Sequence, residues 1–185
     1  MTSDAPARRP GPVAGAGVPR FELTPHNCFA CGTLNTWGMQ LELHVERDRA
    51  WTELTLERRF EGWDGIAHGG ILCTVLDEVM AWALVGQDNW GVTARLDVDF
   101  KRPIEVGRSI RAEGWIARAR RRLVETHGHI VDAATGKELA TGQGIYLAAD
   151  EKRKAELQAR YGFRFIDDLT ADAVGVAAPS RGRSS

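Results

Sequence analysis

The chain has 185 residues, of which 43% are apolar and 26% charged, enough for one domain with a sizeable core and too few for two comfortable ones. Its 24 basic and 25 acidic residues leave a net charge of -1, which excludes a global basic field for nucleic acid. No apolar run approaches the roughly 20 residues of a membrane span, and three cysteines make no disulfide framework.

Residues 1–20 are Ala, Gly, Pro and Arg without apolar period and are predicted to be disordered. They are polar and lack the apolar stretch of a signal peptide, so a cytoplasmic location is expected. Residues 39–45 and 51–57 are predicted as two strands around the polar turn ERDR. A glycine-rich loop, EGWDGIAHGG, leads into ILCTVLDEVMAWALVGQ, where Leu72, Val75, Leu76, Val79 and Ala83 form one apolar helical face. From residue 92 to 101 the period becomes two: Val92, Ala94, Leu96, Val98 and Phe100 alternate with Thr93, Arg95, Asp97, Asp99 and Lys101. Strands 108–117, 122–131 and 138–148 follow, with Gly142 and Gly144 suited to close approach or bending. A polar helix is predicted at 150–160, and residues 166–185 read as a flexible tail. The domain is therefore placed at 21–165. Its order, with four consecutive strands joined by short turns, predicts an α+β fold: a long antiparallel sheet wrapped around one central helix.

The stretches CFACGTLNTWGMQLEL, GWDGIAHGGILCTVLDEVMAWAL and VTARLDVDFKRPIEVG resemble the hotdog-fold acyl-CoA thioesterases, closest to the PaaI-type and 4-hydroxybenzoyl-CoA branch, over about residues 27–149. The specific part is His-Gly-Gly opening an apolar helix, an acid nine residues after the His, and a strand ending in Lys-Arg-Pro.

Residue chemistry stands beside that resemblance. Gly69 and Gly70 start the helix, so their N–H groups lack intrahelical acceptors and the helix dipole favours negative charge there. Such a site suits a thioester oxyanion, and the resemblance assigns the donor to Gly69, with Gly70 beside the substrate. His68 is expected to orient the loop or contact the carbonyl region rather than transfer a proton. Asp77 flanks the apolar face, and the resemblance makes it the acid that activates water or attacks directly. Glu78 is its rival, read here as a solvated or salt-bridged residue. The resemblance gives Thr93 a part in positioning water, although a strand Thr is equally a good β-former. Some relatives carry Asn where this chain has Gly62, which leaves Asp64 or a backbone group as the substitute. Lys101, Arg102 and Arg120, the last within the basic turn, are the candidate contacts for coenzyme A phosphates. The acyl chain is expected beside Trp63, Met80 and Trp82.

Gly69 and Asp77 are eight positions apart, about 12 Å along a helix. Donor and base must both lie within about 3 Å of one reacting group. One chain cannot achieve this, and two antiparallel helices across a twofold axis can. A homodimer sharing a continuous sheet is expected, with a tetramer as the next assembly.

Cys28 and Cys31 form a C-x-x-C two residues after His26. No second pair supplies four zinc ligands, so no metal is expected and the segment is read as a structural turn. Cys73 is read as core, and His26, His44, His127 and His129 as surface or sheet-face residues. The expected activity is hydrolysis of an acyl-CoA to carboxylate and coenzyme A, with no cofactor, nucleic acid or membrane partner. The alternatives are a non-catalytic acyl-CoA-binding module and an enzyme acting on carrier-protein thioesters.

Overall fold

The structure, a computed structural model, describes residues 21–165. The segments 1–20 and 166–185, predicted as disordered and flexible, lie outside the described residues. In chain order the elements are β1 (Phe21–Glu22), β2 (His44–Val45), β3 (Arg49–Thr55), β4 (Glu61–Trp63), β5 (Ile66–Ala67), α1 (Gly69–Val85), β6 (Gly91–Phe100), β7 (Ser109–Arg120), β8 (Leu123–Asp132), β9 (Glu138–Ala148), α2 (Glu151–Tyr161) and β10 (Arg164–Phe165). Six of the strands form one antiparallel sheet in the order β2-β3-β7-β8-β9-β6. Helix α1 packs across β3, β7, β8, β9 and β6, giving the expected α+β architecture of a long sheet around one central helix.

Glycines explain how the helix fits. Gly114, Gly128 and Gly142 pair across β7, β8 and β9 in one row beneath Leu76 and Met80. A Cβ on Gly114 would stand 2.6 Å from the Met80 backbone nitrogen and 2.7 Å from the Val79 carbonyl carbon. Without side chains in that row the helix backbone settles onto the sheet, and Leu76, Val79 and Met80 reach 0% exposure. Each such burial is worth about 1.5–3 kcal/mol.

The strand predicted at 39–45 is reduced to His44–Val45. Its first half is engaged elsewhere: Met39 and Leu41 donate their N–H groups to the carbonyls of Phe29 and Ala30, both at 2.8 Å. Gln40 between them has φ 48°, incompatible with a regular strand. The polar helix forms as expected, capped by Asp150, whose side chain accepts from Arg153 N–H, and ended by Gly162 at φ 58°. Beyond it β10 pairs with β1, setting Phe21 and Phe163 against Trp82 at ring distances of 5.8 and 5.6 Å.

Candidate active site

Helix α1 begins on a hairpin, β4–β5, that turns the chain into His68. His68 has extended backbone, φ -66° and ψ 132°, and caps the helix: its Nδ1 accepts the Gly70 N–H at 2.9 Å. An accepting Nδ1 places the proton of the neutral ring on Nε2. The capping bond engages the Gly70 N–H, leaving Gly69, to which the resemblance assigns the oxyanion donor, as the free end of the turn. Gly69 differs. Among the described residues its N–H has no acceptor, and only the Phe100 ring lies over its Cα, 3.4 Å from where a Cβ would stand.

Two turns along, Asp77 is half-buried at the edge of the core. Thr93 Oγ1 donates to its Oδ1 at 2.7 Å, and Tyr146 Oη donates to the same oxygen at 2.8 Å and to the Asp77 carbonyl at 3.1 Å. Both hydroxyls hold one carboxylate oxygen, leaving Oδ2 without a partner among the described residues. Tyr146 is 1% exposed, and burial together with the adjacent Asp77 carboxylate pushes its phenol well above the ordinary range. It therefore stays a proton donor to Asp77.

Thr93 reaches Asp77 because β6 does not keep the predicted alternation. Thr93 pairs with Tyr146 and Arg95 with Ile145, so Ala94 is an extra residue, a β-bulge. The bulge moves Thr93 onto the helix-facing side with Leu96 and Val98, and turns Val92, 67% exposed, to the outside.

Other expected residues separate into groups. Lys101 and Arg102 follow Phe100, at the Gly69 end of α1; Lys101 pairs with Asp99 at 3.5 Å and Arg102 donates to the Glu138 carbonyl at 3.0 Å. Arg120 lies exposed at the β7–β8 turn, beyond the Leu123–Leu147–Val92 register row, at the Thr93 end. Asp64 does not replace the missing amide: it is exposed and pairs with Arg58 at 3.4 Å. A side chain at Gly62 would in any case crowd His68, its Cβ standing 3.0 Å from the His68 Cα. Of the expected acyl-chain neighbours only Trp63 is exposed. Met80 is sealed against the sheet, and Trp82 is buried between Phe21 and Phe163.

Glu78 is not solvated. Its Oε1 accepts the Trp82 indole N–H at 2.7 Å, its Oε2 lies 3.9 Å from Cys28 Sγ, and burial pushes its carboxyl up to about 7. Around it gather Cys28, Cys31 and His26. Hydrogen bonds, the Cys31 thiol foremost, hold the Cys28 thiol down to about 5. His26 is no surface residue: it is 4% exposed, with Nε2 at 3.6 Å from Cys31 Sγ. Cys73 is half-buried at the margin of the core, one turn before Asp77. His44 stacks on Trp51 at 3.8 Å, and His127 and His129 flank Trp115, as sheet-face residues do.

Tyr146 is the residue that sequence reasoning passed over. The signal was present: it falls on the inward register of β9, and a buried phenol needs a hydrogen-bond partner.

Residues 64–138 match the family model described as the thioesterase superfamily. No curated protein sequence matches the chain. Among solved structures, a thioesterase superfamily protein superposes with a TM-score of 0.62 at 23% identity over 65% of this chain, and this chain spans 60% of that protein's length. Thioesterase superfamily member 2 from Mus musculus gives a TM-score of 0.55 at 21% identity, covering 58% of this chain and 80% of its own. A hypothetical thioesterase from Streptococcus pneumoniae, crystallised with coenzyme A, gives 0.56 at 15% identity, covering 58% and 87%. The pneumococcal protein has also been crystallised with an Asp and a Thr, sixteen positions apart, each replaced by Ala. At these identities the shared property is the fold.

Proposed function

We propose that the chain, which has the fold of its thioesterase neighbours and matches the thioesterase superfamily over residues 64–138, is a member of that superfamily and hydrolyses an acyl-CoA thioester to a carboxylate and coenzyme A. The observation that carries the reading is the arrangement at Asp77. Two hydroxyls pin Oδ1, and the second oxygen is left for a water molecule. Asp77 and Thr93 stand sixteen positions apart, the spacing of the Asp and Thr replaced in the pneumococcal thioesterase, which supports the same pair here.

In the proposed reaction Asp77 Oδ2 takes a proton from water as the water oxygen attacks the thioester carbonyl. The carbonyl oxygen becomes an oxyanion and accepts the unpaired Gly69 N–H of an opposing subunit, reinforced by the helix N-terminus. Collapse breaks the carbon–sulfur bond, and the departing thiolate recovers the proton held by Asp77. The carboxylic acid so formed releases its remaining proton to solvent as the carboxylate, and atoms and charge balance with water as the only co-reactant. His68 sets the turn that presents Gly69, and Thr93 and Tyr146 orient the carboxylate. Lys101 and Arg102, beside Gly69, and Arg120, at the opposite end of the sheet, are the proposed contacts for coenzyme A phosphates.

The second subunit enters because Gly69 and Asp77 are separated by about 12 Å along α1. Strand β6 supplies the means: among the described residues it ends the sheet, bonded to β9 alone, and runs for ten residues with an open edge. Pairing of two β6 edges would give a homodimer with a continuous sheet and two composite sites.

The test is Asp77→Asn, which keeps size and hydrogen-bonding capacity but removes the base. Thiol release from a panel of aromatic, short, medium and long acyl-CoAs should fall by about 10²–10⁴-fold in kcat, with the oligomeric mass unchanged by light scattering. Hydrolysis at the parental rate by a folded variant would refute the assignment.

A further inference from the structure

Counting along the sequence finds two thiols and stops, but the fold adds ligands from fifty residues away. Cys28 Sγ, Cys31 Sγ and a carboxylate oxygen of Glu78 all lie within 4.8 Å of one another. Cys28 Sγ is 3.9 Å from Glu78 Oε2, and Cys31 Sγ is 3.6 Å from His26 Nε2. Ligands on a tetrahedral zinc ion sit about 3.5–3.8 Å apart, given bonds of about 2.0–2.3 Å. The Cys28–Glu78 and Cys31–His26 separations are therefore close to those of a coordination shell; Cys28, Cys31 and Glu78 form the tight group, and His26 adjoins it through Cys31.

Two further observations point to a ligand. His26 is 4% exposed and packs edge-on against Tyr161; its Nε2 is aimed at the Cys31 sulfur, and its Nδ1 has no partner among the described residues. The loop is also wound tightly about the two thiols: the Gly32 N–H donates to the Cys28 carbonyl at 3.0 Å. Gly32 allows the wrap, since a Cβ there would stand 2.4 Å from Cys28 N and 2.5 Å from the His26 carbonyl oxygen. Two sulfurs, one imidazole and one carboxylate form a donor set that suits zinc above calcium or magnesium.

We propose that Cys28, Cys31, His26 and Glu78 form a zinc site that ties the N-terminal segment to α1. The four ligands leave no open position, and the ion is structural. It cross-links residues 26–31 to the turn of α1 that carries Asp77, the neighbour of Glu78.

The proposal does not depend on thioesterase activity, and its test uses no substrate. The full chain, expressed with zinc and dialysed, should hold zinc at one equivalent per chain by plasma mass spectrometry. Replacement with cobalt(II) should give thiolate-to-cobalt charge-transfer absorption in the near ultraviolet, and chelation should lower Tm. Cys28→Ser and Glu78→Gln should each lose most of the metal, whereas Cys73→Ser should keep it. If a ligand variant fails to fold, the cobalt spectrum of the parent chain still decides. A reduced, folded parent chain that holds no zinc and shows no charge-transfer band overturns the proposal. So does a parent chain whose intact mass reports a Cys28–Cys31 disulfide in place of metal.

Discussion

Asp77 works in this account only because two hydroxyls fix its carboxylate, and each comes from a different strand. Hydrogen bonds to a charged group are worth about 1.5–3 kcal/mol. Tyr146→Phe removes the phenol that donates to both Asp77 Oδ1 and the Asp77 carbonyl while keeping the ring in the core. Its kcat is expected to fall by about ten- to a hundredfold with KM little changed, because orientation of the base matters in the transition state and not in binding. Equal kcat for the variant and the parent would remove Tyr146 from the site. At this scale the sequence was only partly legible. Asp77 and Gly69 follow from helix periodicity, helix-end chemistry and the His-Gly-Gly motif. The alternation over 92–101 groups Thr93 with Arg95, Asp97 and Asp99, whereas a bulge of one residue, at Ala94, sets it on the side of Leu96 and Val98, a reversal with no compositional trace. Glu78 and His26 were misplaced for a related reason. Polar residues near a surface-like pattern read as solvated until a distant segment covers them.

The fit of α1 on the sheet turns on the row Gly114–Gly128–Gly142. Glycines in a strand pattern signal close approach, and Gly142 was read that way, but only the register shows three of them aligned beneath one helical turn. Gly114→Ala would press a methyl group into the Met80 and Val79 backbone, which has no flexible end to yield. It should cost about 1–3 kcal/mol in urea denaturation; a neutral result would show that the helix does not rest there. The β8–β9 hairpin offers a separate test. Asp132 is 2% exposed; the Thr135 hydroxyl and N–H donate to it at 2.6 and 2.7 Å and Arg108 pairs with it. The Thr135 hydroxyl foremost, then the Thr135 N–H and Arg108, outweigh burial and hold this carboxyl at about 2, below its ordinary 3.8. A depressed carboxylate pKa stabilises the fold above the ordinary value and loses that contribution as pH falls through the folded one. The stability gap between the parent and Asp132→Asn should therefore be full above pH 4 and close towards pH 2, read from denaturation midpoints. A gap independent of pH in that window would contradict it.

At the scale of the whole molecule, the order of the main elements along the chain, the single long helix and the turn positions were legible because they rest on periodicity and turn residues, which are local properties; the pairing of β6 with β9 rather than with its chain neighbour β7 was not. The proposed active unit is not local. Among the described residues β6 has an open edge and the Gly69 N–H has no acceptor, and with Asp77 at the far end of that span of α1 the proposed mechanism calls for two subunits, each completing the other's site. The most direct measurement is a mixed dimer. Gly69→Pro deletes the proposed oxyanion donor at the first helical position, where proline is well tolerated, and His68 before it already has the extended backbone that proline requires. Asp77→Asn deletes the base. Each homodimer should be nearly inactive. Co-expressed with different tags and purified as the heterodimer, the two chains should form one intact site and one doubly broken site, restoring about half of the parental rate per dimer. A heterodimer as inactive as its parents would place Gly69 and Asp77 in the same site of one chain, or in no common site, and would contradict the account.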